Sequence, residues 1–370
     1  MTTSDRARRP DYAVPVGDFI AEWMDDHGLK AAELARRLGV SRKHVSELLR
    51  AQVALTEDMA VRLGRVTGVS ADWWTRLESH YQRERARLAR EAELAEGYDS
   101  VRRLPLAYLR KWGFVTSDVG DRAGVVAEVL AFFRVGTVAA LTPSWAESSV
   151  AYRKVAASAP RPELLMTWLM AAERAMPDDL PPFDREGLSS RLSQLRRLTL
   201  GDPATYVQQA TDELRGVGLA CRIVPEVPGL GVYGATRWIG GHPLVQLSLR
   251  GKTDDQLWFT LFHELGHVLR DNATGLYWSG GDPGAEAAAD QFAADLLIPP
   301  AQAADLPRSR NLKAVRDFAQ RIGVAPGVVI GRIQRETRDF GWGNGLKRRF
   351  EFVPAVPGPP DGGERADATG

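Results

Sequence analysis

In the first quarter of the chain, apolar residues recur at helical spacing in short bursts separated by glycine. In "AAELARRLGVSRKHVSELLRA" (31–51) the apolar positions are Leu34, Leu38, Val40, Val45 and Leu48, a spacing that predicts helix, tight turn, helix. Ala35 is small enough for the two helices to cross closely, Gly39 permits the turn, and Ser41 stands where a hydroxyl can cap the second helix. "VTGVSADWWTRLESHYQ" predicts a further helix, with Trp73 and Trp74 as core or dimer contacts. "QRERARLAREAELAEGY" (82–98) is helical but charged, with few large apolar residues, and reads as a connector. Residues 100–200 are mostly helical, most clearly in "AGVVAEVLAFFRV" and "PELLMTWLMAAERAM".

After Gly201 the period changes. A helix at 203–216 leads into three strand-like runs, "LACRIVP", "GVYGATRWI" and "PLVQLSLR". Helices follow at 258–273, around "AEAAADQFAADLLIP", and as a pair at 311–338. The expected fold is mainly α with a small β-sheet (α+β). It has a helix-turn-helix bundle at 16–82, a helical linker at 83–99, a helical middle region at 100–200, a mixed helix-and-strand domain at 201–310 and a helical extension at 311–353. The Pro-, Gly- and charge-rich ends, 1–15 and 354–370, are expected to be disordered tails.

The 370 residues favour two or three domains, and 48 Lys+Arg against 47 Asp+Glu leave whole-chain charge uninformative about nucleic acid. Local charge is informative: Lys30 to Arg50 holds six basic and two acidic residues, an excess suited to phosphates. Since a recognition helix presents its N-terminal residues to the major groove, Arg42, Lys43, His44 and Ser46, with Arg50, are the expected contacts to operator DNA. Cys221 is the single cysteine, so no internal disulfide forms. No apolar run approaches the roughly 20 residues of a membrane span. A cytoplasmic protein is expected.

"WFTLFHELGHVLRDNA" (258–273) carries the sharpest chemistry. Asp254 is placed to cap this helix, and apolar residues at 257, 258, 261, 262, 265, 268 and 269 form one buried face. His263 and His267 lie one turn apart on another face, where both imidazoles can reach one metal ion. Glu264 is rotated away from the ion toward a water on it, as a general base requires. A third ligand is needed. The three-histidine pattern fails, because positions 270 and 273 are Arg270 and Ala273. Glu286, nineteen residues after His267, fits instead, and Asp290 one turn on is placed to accept a histidine N–H. Ala287, Ala288 and Ala289, with Gly266 opposite, would let the two helices approach. "PLVQLSLR" is the expected edge strand for an extended substrate. Arg237, His242 and Tyr277 are candidate oxyanion stabilisers.

The motifs also carry resemblances. "ELARRLGVSRKHVSELL" and "GVSADWWTRLESHY" resemble the helix-turn-helix domain of HigA-type antitoxins, in the XRE class. "FHELGHVL" and "EAAADQFAADLLIP" resemble the ImmA/IrrE family of zinc metallopeptidases. Together with "GATRW", "LSLRGKTDDQLWFT" and "NGLKRRFE", they look like the fused antitoxin–peptidase regulators of bacteria, over about 16–350. The resemblance implies a zincin-like metallopeptidase domain at 201–310, with Zn2+ on His263, His267 and Glu286, Glu264 as base, and cleavage of a repressor protein. Ala288 stands where members often carry a further acidic residue.

Three functions compete. The first is a DNA-binding regulator that is also a zinc endopeptidase. The second is a HigA-like antitoxin, with a toxin partner, whose peptidase-like domain only senses or docks. The third is self-cleavage in the linker. A homodimer is an expected assembly. Partial cover of the zinc's open position by 100–200 or by 271–285 is an expected restraint.

Overall fold

The computed structural model describes residues 10–141, 161–270, 276–278 and 283–350. Both expected tails, most of the expected lid at 271–285 and the side chain of Tyr277 lie outside them. Packing divides the chain into two units, Met1–Asp99 with Thr116–Glu128, and Ser100–Val115 with Val129–Gly370.

The first unit begins with four short helices, α1 (Val16–Asp26), α2 (Ala31–Leu38), α3 (Arg42–Leu49) and α4 (Glu57–Thr67). Leu34, Leu38, Val45, Leu48 and Leu63 close on Trp74 as one buried core. Each such side chain contributes roughly 1.5–3 kcal/mol by leaving water. Gly39 ends α2 in the left-handed region, φ 69°, where a side chain would strain the backbone. Ser41 Oγ accepts from His44 N–H at 3.1 Å and caps α3. Arg62 of α4 donates to Leu38 O at 3.2 Å and braces the turn from outside it. Trp73 remains 43% exposed and meets Phe19 edge-on. The expected connector is not separate: α5 runs unbroken from Ala71 to Glu96, and the boundary expected after 82 falls inside it.

The second unit holds α6 (Leu106–Lys111), then, after α7 (Arg122–Phe133), which runs across the division, α8 (Pro162–Glu173), α9 (Arg185–Arg197) and α10 (Tyr206–Arg215). Strands β1 (Ala220–Ile223), β2 (Gly234–Ile239) and β3 (His242–Leu247) follow. Then come α11 (Asp254–Arg270), β4 (Leu276–Trp278), α12 (Pro283–Leu297), α13 (Leu312–Ile322) and α14 (Pro326–Thr337). The expected middle region is thus shared between the two units.

The sheet order is β1-β3-β2-β4, with β1–β3 parallel and the other pairs antiparallel. "PLVQLSLR" is therefore not an edge: β3 is paired on both sides, and the outer strands are β1 and β4. The alternation of side chains assigns the two faces. Arg237 and Gln246 point to α8, where Arg237 Nη1 donates to Glu173 at 2.9 Å and Gln246 Nε2 to Trp168 O at 2.6 Å. Gly234 and Thr236 point to α11. The piece of 100–200 in this layer thus backs the sheet on the face away from α11.

Helix α11 is buried nearly all round: beyond its expected apolar face, His263, Glu264 and His267 are covered as well. Helices α13 and α14 share its core, so 311–338 is part of this unit rather than an appendage. Asp254 is not the cap. It is the first helical residue, and its Oδ1 accepts from the N–H of Asp255 at 3.0 Å and of Arg348 at 3.1 Å. Burial pushes its pKa up to about 6. Asp255 beside it pairs with Lys347 at 2.7 Å in a nearly dry contact. Gly327 and Gly331 of α14 make room, since a Cβ at either would lie 2.4 Å and 2.6 Å from these carboxylates.

Candidate metal centre and nucleic-acid interface

Three ligand atoms converge where α11 crosses α12. His267 Nε2 lies 3.2 Å from His263 Nε2 and 3.1 Å from Glu286 Oε1, and His263 Nε2 lies 3.5 Å from Glu286 Oε2. A tetrahedral zinc with ligands at about 2.0–2.1 Å separates its ligand atoms by about 3.3 Å, so the donor set fits that ion in both chemistry and spacing. The helices meet closely at Gly266: a Cβ there would sit 3.1 Å from Phe292 and 3.3 Å from the backbone of Ala289, tighter than ordinary contact. Of the three expected alanines, Ala289 makes this contact, whereas Ala287 is exposed.

Asp290 lies where its spacing placed it. Its Oδ1 is 2.9 Å from His263 Nδ1, an arrangement that keeps a proton on Nδ1 and turns the Nε2 lone pair to the cluster. Burial opposes a charge on His263, but the bonds to Asp290 and Glu286 and the nearby Glu264 raise its pKa to about 10. At Asp290 burial opposes the charge, but the bonds to His263 and to Arg335 of α14 outweigh it and lower the pKa.

Glu264 is fully buried. Thr236 Oγ1 donates to its Oε2 at 2.7 Å, and its Oε1 has no hydrogen-bond partner among the described residues. Burial pushes its pKa up to about 7, against the pull of His263, His267 and the Thr236 bond. Gly234 makes space for this carboxylate, since a Cβ there would lie 2.3 Å from Oε1. Neither Gly234 nor Thr236 stood out in the sequence. A glycine in a strand pattern can signal close approach, but the approaching group comes from a different element.

The two described oxyanion candidates are committed elsewhere. Arg237 bonds Glu173 and Leu169 O on the far face of the sheet, and His242 Nδ1 lies 3.1 Å from Gly218 O. A cleft of about 1000 Å³ opens over His263 and Glu286, bounded by Phe259, Arg335, Phe340 and Lys347.

On α3, the expected DNA contacts differ in exposure. Arg42, Lys43 and Arg50 are exposed, while His44 and Ser46 are half-buried. Arg42, Lys43 and His44 share the first turn, and Arg50 stands at the other end, as the C-cap. Among the described residues Arg42 and Arg50 have no acidic partner, and Lys43 lies 3.6 Å from Glu47. Part of the basic excess is internally balanced, because Arg36 and Arg37 both bond Glu33 at 2.7 and 2.9 Å.

Two family models match the chain: a helix-turn-helix model, HTH_3, over residues 20–74, and the IrrE N-terminal-like domain, Peptidase_M78, over residues 228–334. The chain is 34% identical over 88 residues to the uncharacterized HTH-type transcriptional regulator YddM of Escherichia coli (strain K12), covering 24% of this chain and 87% of that one. It is 34% identical over 70 residues to Virulence-associated protein I of Dichelobacter nodosus, covering 19% of this chain and 65% of that one. Among solved structures, the Pseudomonas aeruginosa antitoxin HigA with the higBA promoter matches at 34% identity and TM-score 0.21, over 21% of this chain and 86% of that one.

Proposed function

The chain belongs to the HTH_3 helix-turn-helix transcriptional regulators and carries an IrrE N-terminal-like domain of the Peptidase_M78 family, and from that premise we propose that it binds operator DNA and is a zinc-dependent endopeptidase acting on a repressor or other regulatory protein. His263, His267 and Glu286 are the proposed zinc ligands, and Glu264 is the base. Zinc held there would polarise a peptide carbonyl and make water acidic enough to be used at neutral pH. Glu264 takes the water's proton and passes it to the leaving amine, while Thr236 steadies the oxygen not engaged in transfer. The reading is carried by Glu264 itself: a fully buried carboxylate with one oxygen unpartnered among the described residues, beside a three-ligand cluster. A domain that only sensed or docked would bear the desolvation of that group with no return.

DNA binding is assigned to α3, with Arg42, Lys43, His44, Ser46 and Arg50 as the contacts to double-stranded operator DNA. The capped first turn and the exposure of Arg42 and Arg50, which have no acidic partner among the described residues, support it.

Glu264→Gln tests the peptidase reading. The amide keeps the size of the side chain but cannot carry a proton between groups. Full-length protein is assayed for zinc and incubated with a denatured reporter protein and with the repressors encoded beside its own gene. Wild type should hold about one zinc per chain and cleave. The variant should hold the same zinc and cleave at least about 100-fold more slowly. Zinc-loaded wild type that cleaves none of these proteins would favour the docking alternative, and equal cleavage by the variant would remove Glu264 as base.

A further inference from the structure

Asp290 has a second partner. Arg335, on α14, lies one residue beyond the end of the matched family stretch, and its Nη2 donates to Asp290 Oδ2. The other oxygen, Oδ1, faces His263 Nδ1 at 2.9 Å. The guanidinium also sits over the Phe259 ring, 5.0 Å from its centre. Phe259 is one turn before His263 on α11, and the two rings lie 6.4 Å apart. One arginine thus joins α14 to both helices of the cluster, to α12 through Asp290 and to α11 through Phe259.

We propose that Arg335 is a positioning residue for the metal centre, acting through Asp290 to hold the His263 imidazole in its ligating orientation. The proposal rests on the metal reading and adds to it. A carboxylate bound through one oxygen still turns about its terminal torsion, which is broad. Fixing the second oxygen removes that freedom, so Oδ1 stays on the His263 Nδ1–H and Nε2 stays turned inward. The stack on Phe259 in turn restrains the guanidinium, which is otherwise open to water on the cleft wall. The Arg335 and Asp290 side chains are 56% and 35% exposed. A pair that open adds little to stability, so its effect belongs in ligand geometry. Losing a partner in the outer shell of a metal site typically costs about 10–100-fold in metal affinity.

The test uses the full-length protein with Arg335→Gln, Arg335→Lys, Asp290→Asn and the Arg335→Gln/Asp290→Asn double variant. Glutamine keeps much of the stem over Phe259 and removes the charge. Zinc affinity is read by competition with a chromogenic chelator. Protection of the His263 Nδ1–H proton is read by NMR on metal-free protein. Arg335→Gln should bind zinc at least about tenfold more weakly and lose Nδ1–H protection, with an unchanged melting midpoint. Lysine should recover part of both. In the Asp290→Asn background Arg335→Gln should add nothing further. Wild-type Nδ1–H protection in Arg335→Gln overturns the proposal, as does an equal loss of zinc affinity with and without Asp290. If wild type bound no zinc while Nδ1–H protection still depended on Arg335, the metal reading would fall and the positioning of His263 would stand.

Discussion

Helix α3 and helix α11 both set polar chemistry on an apolar scaffold, and they do it in opposite ways. In α3 the scaffold is local: Val45 and Leu48 anchor one side, Ser41 caps the start, and Arg42 and Lys43 are left in water. Nothing has to converge for those cations to be ready. In α11 the polar groups are inside. His263, Glu264 and His267 are buried, and each is completed by a residue from elsewhere, Asp290, Thr236 and Glu286 respectively. A surface site tolerates imprecision because solvent fills the gaps. A buried one draws its partners from the fold, and an oxygen left without one, like Glu264 Oε1 among the described residues, costs about 1–3 kcal/mol.

That contrast predicts where single substitutions act. Gly234→Ala should be the most damaging, since the new methyl would lie 2.3 Å from Glu264 Oε1 and the carboxylate must move. Cleavage should fall roughly 100-fold, the scale of a catalytic group displaced by about 1 Å, while zinc content is retained. Peptidase kinetics at wild-type rate would show that α11 tolerates imprecision after all. Arg42→Ala tests the exposed helix. Operator binding should weaken by roughly 1–3 kcal/mol if the side chain reads a base, or the salt slope should fall by about 1 if it meets a phosphate. Titrations at several salt concentrations separate the two, and an unchanged affinity and slope would remove Arg42 from the interface.

Asp254→Asn probes the buried side by pH. The folded pKa of about 6 lies above the ordinary value of 3.8. The contribution of this group to stability is therefore complete below about pH 4 and is lost as pH rises through about 6. The asparagine variant should gain on wild type between pH 4 and pH 8, by on the order of 2 kcal/mol. Melting curves at the two pH values check it, and a constant gap would mean that Asp254 stays charged throughout. Ser41→Ala should have the smallest effect, about 1 kcal/mol of stability from the lost cap, with a weakening of DNA binding no larger than the unfolding it causes. Urea melts of the first unit supply that comparison.

The same contrast decides what could be read in advance. The turn at Gly39, the Ser41 cap and the exposed cations depend on neighbours within a few residues. The His263–His267 pair depends on one helical turn and Glu286 with Asp290 on another, so each pair is legible in spacing, while the meeting of the two turns is what the resemblance implied. Strand order has no such local signature. β3 reads as an edge because it directly precedes α11, yet β1 and β2 flank it. Thr236 and Gly234 matter only through register, which turns one face of β2 to Glu264. Arg335 is one of many arginines until α14 packs against α11. Asp254 stands where a cap would, but the backbone of Arg348 takes its carboxylate from outside the helix.

That last bond has a consequence in time. Asp254 and Arg348 are 94 residues apart, and at about 5–20 residues per second a ribosome needs roughly 5–20 s to pass from one to the other. Through that interval the helix bearing both histidines already exists as chain, but the segment that secures its first turn has not been made. The first turn of α11 therefore cannot take up its final contacts until synthesis has passed Arg348.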